Sequence, residues 1–221
     1  MSAVLFGSIS SVADTSELQR DAFNRAFEAH DLGWHWDRDQ YRAMLDTSGG
    51  KDRVAAYARS AGQSADAQSV HDTKSKLFQQ SLTTAPLRPR PGVVDTIKTA
   101  RSHGWKVGLV TTTSHANIVA LLDSLAPEVQ ASDFDVVVDA DSVAQPKPEP
   151  DAYTFAVDSL SERPGACVAI EDNLGGVRAA LVAGVPCVAF PNDNTAVHDF
   201  GDTRVVELLD FTDLTSAAGR R

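Results

Sequence analysis

Cysteine is nearly absent from this chain: 221 residues contain two, Cys167 and Cys187. Both lie in apolar, strand-like runs, which reads as buried free thiols rather than a disulfide or a metal-binding pair. Long apolar runs are missing too, and nothing approaches the ~18 residues of a membrane span. Positive charge is in short supply, with 20 Lys and Arg against 30 Asp and Glu and a formal net charge of -10. That balance suits a solvated surface and argues against nucleic acid or an anionic membrane as a partner. The chain runs straight into a strand with no basic segment and apolar leader ahead of it, so the expected location is cytoplasmic. What remains is ordinary globular material, 43% hydrophobic and 23% charged, enough for one large domain or for a core with a smaller insertion. Internal repeats and low-complexity segments are absent.

Residues 3–7 form a short apolar run. From about 15 to 85 the spacing turns helical, with Leu18, Ala22, Phe23, Ala26, Phe27 and His30 on one stripe. Gly33 is expected to end that helix, and Trp34 and Trp36 to anchor its packing. Tyr41, Met44 and Leu45 form the next stripe, residues 47–51 a loop, and Val54, Ala55 and Ala58 another helical start. Residues 70–82 suit a further helix with Val70, Lys74, Leu77, Phe78 and Leu82 near one face. The proline-rich stretch from Pro86 to Gly92 marks a change. Beyond it, helices at 92–103, 115–125, 149–160 and 175–183 alternate with buried strands at 105–110, 134–138, 167–170 and 186–190. Apolar strands alternating with helices imply an α/β fold, a parallel sheet covered by helices on both faces. The first strand belongs to that sheet, so the helical stretch is inserted after it. The expected division is a core of residues 1–14 and 87–221 and a helical cap of residues 15–86. The tail from about 212 is expected to be loosely held.

Ligands of such sheets bind outside the carboxyl ends of the strands, and polar clusters follow three of the strands. Thr111-Thr112-Thr113-Ser114 can hold a phosphate at a helix start or simply cap the helix through Thr113 or Ser114. Lys147, set between Pro146 and Pro148 on a stiff extended loop, suits a fixed cation facing an anion; the plainer reading is a solvated lysine at a helix entry. Glu171 and Asp172 end a strand side by side, so their repulsion calls for a cation or a hydrogen-bond network. Mg²⁺ fits such a pair; acids favoured by the dipole of the following helix are the alternative.

Three of these segments resemble motifs of the haloacid-dehalogenase-type hydrolases, in matching order. Lys147-Pro148-Glu149-Pro150-Asp151 resembles the family's third motif. Glu171-Asp172-Asn173 followed by Gly176 resembles the fourth, and Thr111 stands as the hydroxyl of the second. The likeness extends over nearly the whole chain and is closest to the β-phosphoglucomutase-like branch, whose helical cap follows the first motif. Gly49-Gly50-Lys51-Asp52-Arg53 is similar to the cap loop of the xylulose-bisphosphate phosphatase type. The resemblance therefore implies a Rossmann-like core and phosphate contacts from Thr111, Thr112 and Lys147. It also implies Mg²⁺ held by Asp172, Glu171 and the backbone carbonyl of Ile9, and substrate contacts from Gly49, Gly50, Lys51 and Arg53.

The first motif departs from the pattern. The family runs strand, Asp, x, Asp, Gly, Thr; this chain has Val4-Leu5-Phe6-Gly7-Ser8-Ile9-Ser10-Ser11. By that alignment Gly7 occupies the position of the attacking aspartate and Ile9 that of the acid/base aspartate. Gln19 replaces a histidine common at the cap hinge of this branch, and cannot move protons as histidine does. The expectation is a scaffold that binds a phosphorylated small molecule, of the sugar-phosphate kind, over a weakened Mg²⁺ site and without ordinary turnover. An active phosphatase with rerouted chemistry and a purely structural or partner-binding protein are the other two readings.

Overall fold

The computed structural model describes residues 2–45 and 49–218. The chain opens with strand β1 (Ala3–Phe6) and a one-turn helix α1 (Ile9–Val12), then four helices: α2 (Ser16–Ala29), α3 (Arg38–Ala43), α4 (Gly50–Ser60) and α5 (Ala67–Thr84). The remainder alternates: α6 (Val93–Ser102), β2 (Lys106–Val110), α7 (His115–Leu125), β3 (Val136–Val138), α8 (Asp151–Ser159), β4 (Cys167–Glu171), α9 (Leu174–Val182), β5 (Cys187–Ala189), β6 (Arg204–Val205) and α10 (Phe211–Ala218). The six strands form one sheet in the order β3-β2-β1-β4-β5-β6, with every pairing parallel.

Strand β1 lies between β2 and β4, with Phe6 opposite both Leu109 and Ile170. Successive side chains of a strand face opposite ways, and β1 divides accordingly. Val4 and Phe6 enter one core with residues of α6, α7 and α10, while Ala3 and Leu5 enter a second beneath α8 and α9. Both faces are thus covered by helices, as the near-continuous apolar strands require. The chain reverses its direction of winding at β1, so the crevice expected to take a ligand opens beyond Phe6.

Helices α2 to α5 carry a third core built around Phe23, Phe27, Trp34, Trp36, Tyr41 and Val54. Phe27 meets Trp36 edge-on at 4.6 Å and Trp34 at 5.4 Å between ring centroids. Such pairs add about 0.5–1.5 kcal/mol each beyond their buried area. Local signals set the helix ends: Asp37 accepts from the Gln40 amide at 2.8 Å, and Asn173 from the Gly176 amide at 2.9 Å.

Several expectations shift. The first cap helix stops at Ala29, and the left-handed residue after it is Asp31 (φ +53°), not Gly33. Residues 211–218 form α10 instead of a loose tail: Leu214 is fully buried and Phe211 packs on Trp105 at 4.7 Å. Thr47 and Ser48 of the anticipated cap loop lie outside the described residues. Cys167 and Cys187 are both buried and unpaired. No helix among the described residues is long and apolar enough to cross a membrane.

Candidate functional site

A cleft of about 840 Å³ separates the helical cap from the carboxyl ends of the central strands. Ser8, Ile9, Thr111, Thr112, Asp172 and Asn192 supply the sheet side, and Gln19, Tyr41, Gly49, Gly50, Lys51, Arg53, His71 and Lys74 the cap side.

On the sheet side the deciding residue is Gly7, whose amide extends the β1 pairing by donating to Ile170 O at 2.8 Å. A Cβ placed there would lie 2.1 Å from Glu171 Oε1 and 2.2 Å from the Tyr153 hydroxyl. The room that any other side chain would need is filled from behind. Glu171 Oε1 accepts from Lys147 Nζ at 2.6 Å and from the Tyr153 hydroxyl at 2.7 Å. Lys147 also donates to Val110 O at 2.6 Å and to Gly7 O. Burial raises the Glu171 carboxyl above its usual range, although the Lys147 ammonium pulls it down. Its second oxygen, Oε2, is buried without a hydrogen-bond partner. Gly176 closes the other side, since a Cβ there would also meet Glu171 at 2.1 Å.

Asp172 does face the cleft. Its Oδ1 accepts from Ser8 Oγ at 2.7 Å and from Asn173 Nδ2 at 2.9 Å, and its Oδ2 from Asn192 Nδ2 at 2.8 Å. Asn192 belongs to a loop that also holds the cap. Asn194 Oδ1 accepts from Arg38 Nε at 2.9 Å and from Arg42 Nε at 3.3 Å, while Asn194 Nδ2 donates to Glu17 Oε1 at 2.6 Å. Asn192 Oδ1 in turn accepts from the Asn194 amide at 2.9 Å. One short loop therefore touches both cap helices α2 and α3 and the carboxylate at the bottom of the cleft.

The cap side is cationic. Lys74 is buried, with Gln19 Oε1 2.9 Å from its ammonium and the rings of Phe23 and Phe78 at 4.9 and 5.0 Å. Burial, reinforced by the Arg53 charge, brings its pKa down to about 7. His71, desolvated and beside Lys74, falls to about 4. Arg53 donates to Met44 O at 3.0 Å and lies over the Tyr41 ring.

The cleft thus gathers Ile9, Thr111, Thr112, Asp172, Gly49, Gly50, Lys51 and Arg53. Gly7, Lys147 and Glu171 stand behind its wall, the last two turned toward each other in the space that Gly7 leaves. The Ile9 carbonyl accepts from the Ala13 amide at 3.1 Å in α1. Ser114 caps α7 by accepting from the Asn117 amide at 3.4 Å, which was the plainer reading of that cluster. Among the described residues no three His, Cys, Asp or Glu side chains gather around a metal position. For a hard cation the sheet side offers one carboxylate, that of Asp172, whose two oxygens already accept hydrogen bonds; waters and a ligand would have to supply the rest of an octahedral shell.

Sequence reasoning passed over Lys74 and Asn192. The helical spacing sets Lys74 beside Val70 and Phe78 on one face. A charge on such a face is itself the signal, because burying it is costly without a function or a partner. Asn192 carries no comparable signal, being one polar residue in a polar loop.

Residues 8–184 match the family described as haloacid dehalogenase-like hydrolase. The chain is 37% identical to Protein CbbY of Cereibacter sphaeroides over 221 residues, covering 98% of this chain and 95% of that one. The crystal structure of CbbY from Rhodobacter sphaeroides in complex with phosphate superposes with a TM-score of 0.86 at 35% identity, covering 94% of both chains. A mutant of that protein in complex with xylulose-(1,5)bisphosphate also gives 0.86, at 36% identity over 94% of both chains.

Proposed function

Because this chain belongs to the haloacid dehalogenase-like hydrolases and is similar to their sugar-phosphate phosphatases, we propose that it binds a phosphorylated sugar in the cap–sheet cleft and has lost the family's ordinary turnover. One observation carries the reading. Gly7 follows the central strand at the position where the resemblance puts the attacking aspartate, and Glu171 and Tyr153 occupy the space a side chain there would need. A carboxylate nucleophile splits a hard phosphoryl transfer into two easier steps; Gly7 has no atom to attack with. Ile9, aligned with the acid/base aspartate, can neither give nor take a proton. Deleting a nucleophile or an essential base costs on the order of 10⁴–10⁶ in rate.

Binding is supported separately. The relative of known structure holds phosphate and, as a mutant, xylulose bisphosphate, and this cleft keeps Thr111, Lys51 and Arg53 on its walls. Phosphatases of this family generally use Mg²⁺. With Gly7 supplying no carboxylate and Glu171 turned away, this chain's own hold on Mg²⁺ is weak.

One contact favours a second reading, residual hydrolysis through a serine: Ser8 Oγ donates to Asp172 Oδ1 at 2.7 Å. The same oxygen accepts from the Ser11 amide at 2.9 Å as the cap of α1. A carboxylate is also a weak base for a hydroxyl, so binding without turnover is preferred.

The test measures phosphate release from a panel of sugar mono- and bisphosphates with Mg²⁺, beside equilibrium binding of the same compounds. Binding without release is expected. Release that survives repurification and disappears in Ser8→Ala or Asp172→Asn would establish the second reading, and a folded protein that binds no sugar phosphate would remove the first.

A further inference from the structure

Resting on the sugar-phosphate reading, we propose that Lys74 is a nucleophile: its side-chain amine condenses with the open-chain carbonyl of the bound sugar phosphate and holds the sugar as a reversible imine. Position is the first support. Lys74 belongs to α5 and lines the cleft, yet it is only 4% exposed. Its oxygen acceptor is the neutral amide of Gln19 at 2.9 Å, and among the described residues no carboxylate pairs with it. The rings of Phe23 and Phe78 lie 4.9 and 5.0 Å from the nitrogen. Apolar surroundings of this kind activate a lysine by desolvating it. Burial is the main reason that its pKa falls to about 7, so near neutrality much of the side chain is free amine, where a solvated lysine is almost wholly ammonium.

A proton carrier stands beside it. His71 precedes Lys74 by one turn of α5 and lines the same cleft. Burial lowers its pKa to about 4, so it is a neutral imidazole that can relay protons. The step balances without a further reactant. The amine lone pair forms the N–C bond while the carbonyl π pair moves to oxygen, giving a carbinolamine. The nitrogen gives up two protons, relayed through His71 to that oxygen, and the C–O bond breaks to release water. Amine and carbonyl thus become imine and water, with nothing oxidised or reduced. The sugar must offer a free carbonyl. A ketopentose phosphorylated on its terminal hydroxyl meets that demand, because the blocked hydroxyl cannot close a five-membered ring onto the ketone. The selected class is therefore sugar phosphates held in the open-chain form.

The experiment incubates the full chain with stoichiometric xylulose 5-phosphate and sodium cyanoborohydride, which reduces an iminium to a stable secondary amine. Peptide mapping by mass spectrometry locates the product. Xylitol 5-phosphate, which has no carbonyl, is run in parallel, and calorimetry measures the binding of both compounds. The expected product is one adduct per chain, the sugar phosphate less one oxygen atom, on Lys74. It should form at least about tenfold faster there than on Lys76 and Lys98, which are exposed. Xylitol 5-phosphate should leave no adduct and, added first, should slow the labelling. Lys74→Arg, which keeps a charge but no nucleophile, should give none. Binding of both compounds without an adduct on Lys74, or labelling spread over the exposed lysines, would overturn the inference and leave sugar-phosphate binding intact. A folded wild type that binds neither compound would remove the underlying functional reading, and the inference with it. The peptide map of the wild type decides between these outcomes even where the variant fails to fold.

Discussion

Lys147 Nζ and Glu171 Oε1 lie 2.6 Å apart at side-chain exposures of 4% and 0%. A pair this dry is costly to form and more costly to break, because removing one partner strands the other's charge. Lys147→Met should destabilise the protein by about 3–5 kcal/mol. Adding Glu171→Gln to that variant should recover most of the loss. Urea unfolding of the single and double variants measures both, and additive losses would argue against the pairing.

Gly7 tolerates no side chain while Glu171 and Tyr153 stay in place. Gly7→Ala should cost about 1–3 kcal/mol, the usual range for overpacking a dense core. Tyr153→Phe, which removes the hydroxyl 2.2 Å from the would-be Cβ, should return part of it. For the same reason, Gly7→Asp/Ile9→Asp should restore little phosphatase activity until Tyr153 is also changed. Thermal unfolding and phosphate-release assays of the variant series test both statements.

Lys74 makes stability depend on pH. Its ammonium has an ordinary pKa of 10.5 and one of about 7 in the folded protein. Between those values the unfolded chain carries the extra proton, so stability rises with pH across the window. As pH falls toward 7 that contribution is lost, and below 7 the burial penalty is complete. Lys74→Met should flatten the slope between about pH 7 and 9. Ligand binding should run the other way and weaken as pH climbs through the same range, where a phosphate monoester, with its second pKa near 6, is already a dianion. Calorimetry in buffers of different ionisation enthalpy should detect proton uptake on binding, and its absence would mean that Lys74 does not meet the anion.

Asn194 joins the two halves of the cleft. Asn194→Ala should cost about 1–3 kcal/mol through the polar groups it leaves unmatched. Amide hydrogen exchange in α3 should quicken while that in β1 and β4 stays slow. Uniform loss of protection across the molecule would mean that the loop supports the whole fold rather than fastening the cap.

Much of this was legible in the sequence where the signal is periodic or punctuated. Alternating apolar strands and helices beyond Gly92 follow from burial on both faces of a sheet, and the helical insertion from the 3.6-residue spacing of Phe23, Ala26 and Phe27. Positions at strand ends were legible too, since Thr111 and Asp172 do reach the cleft. Directions were not. Spacing places Lys147 and Glu171 near the crevice but cannot say that they turn to each other, because that depends on the room Gly7 leaves and on Tyr153 arriving from α8. The α10 helix was missed because a short C-terminal segment has too few apolar positions to fix a period; Leu214 and Phe211 are held by tertiary packing alone.

The central place of β1 has a consequence for the chain as it is made. Ala3 pairs with Lys106 on one side and with Cys167 on the other, so β1 waits for chain far downstream on both sides. Neither neighbour is close in sequence, and contacts so distant are slow to form. The cap, whose aromatic cluster draws on residues 23–70, has what it needs far earlier. During synthesis it is expected to fold beside an apolar tetrapeptide, Ala3–Phe6, that stays unpaired until the ribosome has delivered more than a hundred further residues. Such a segment is a hazard for aggregation in the interval.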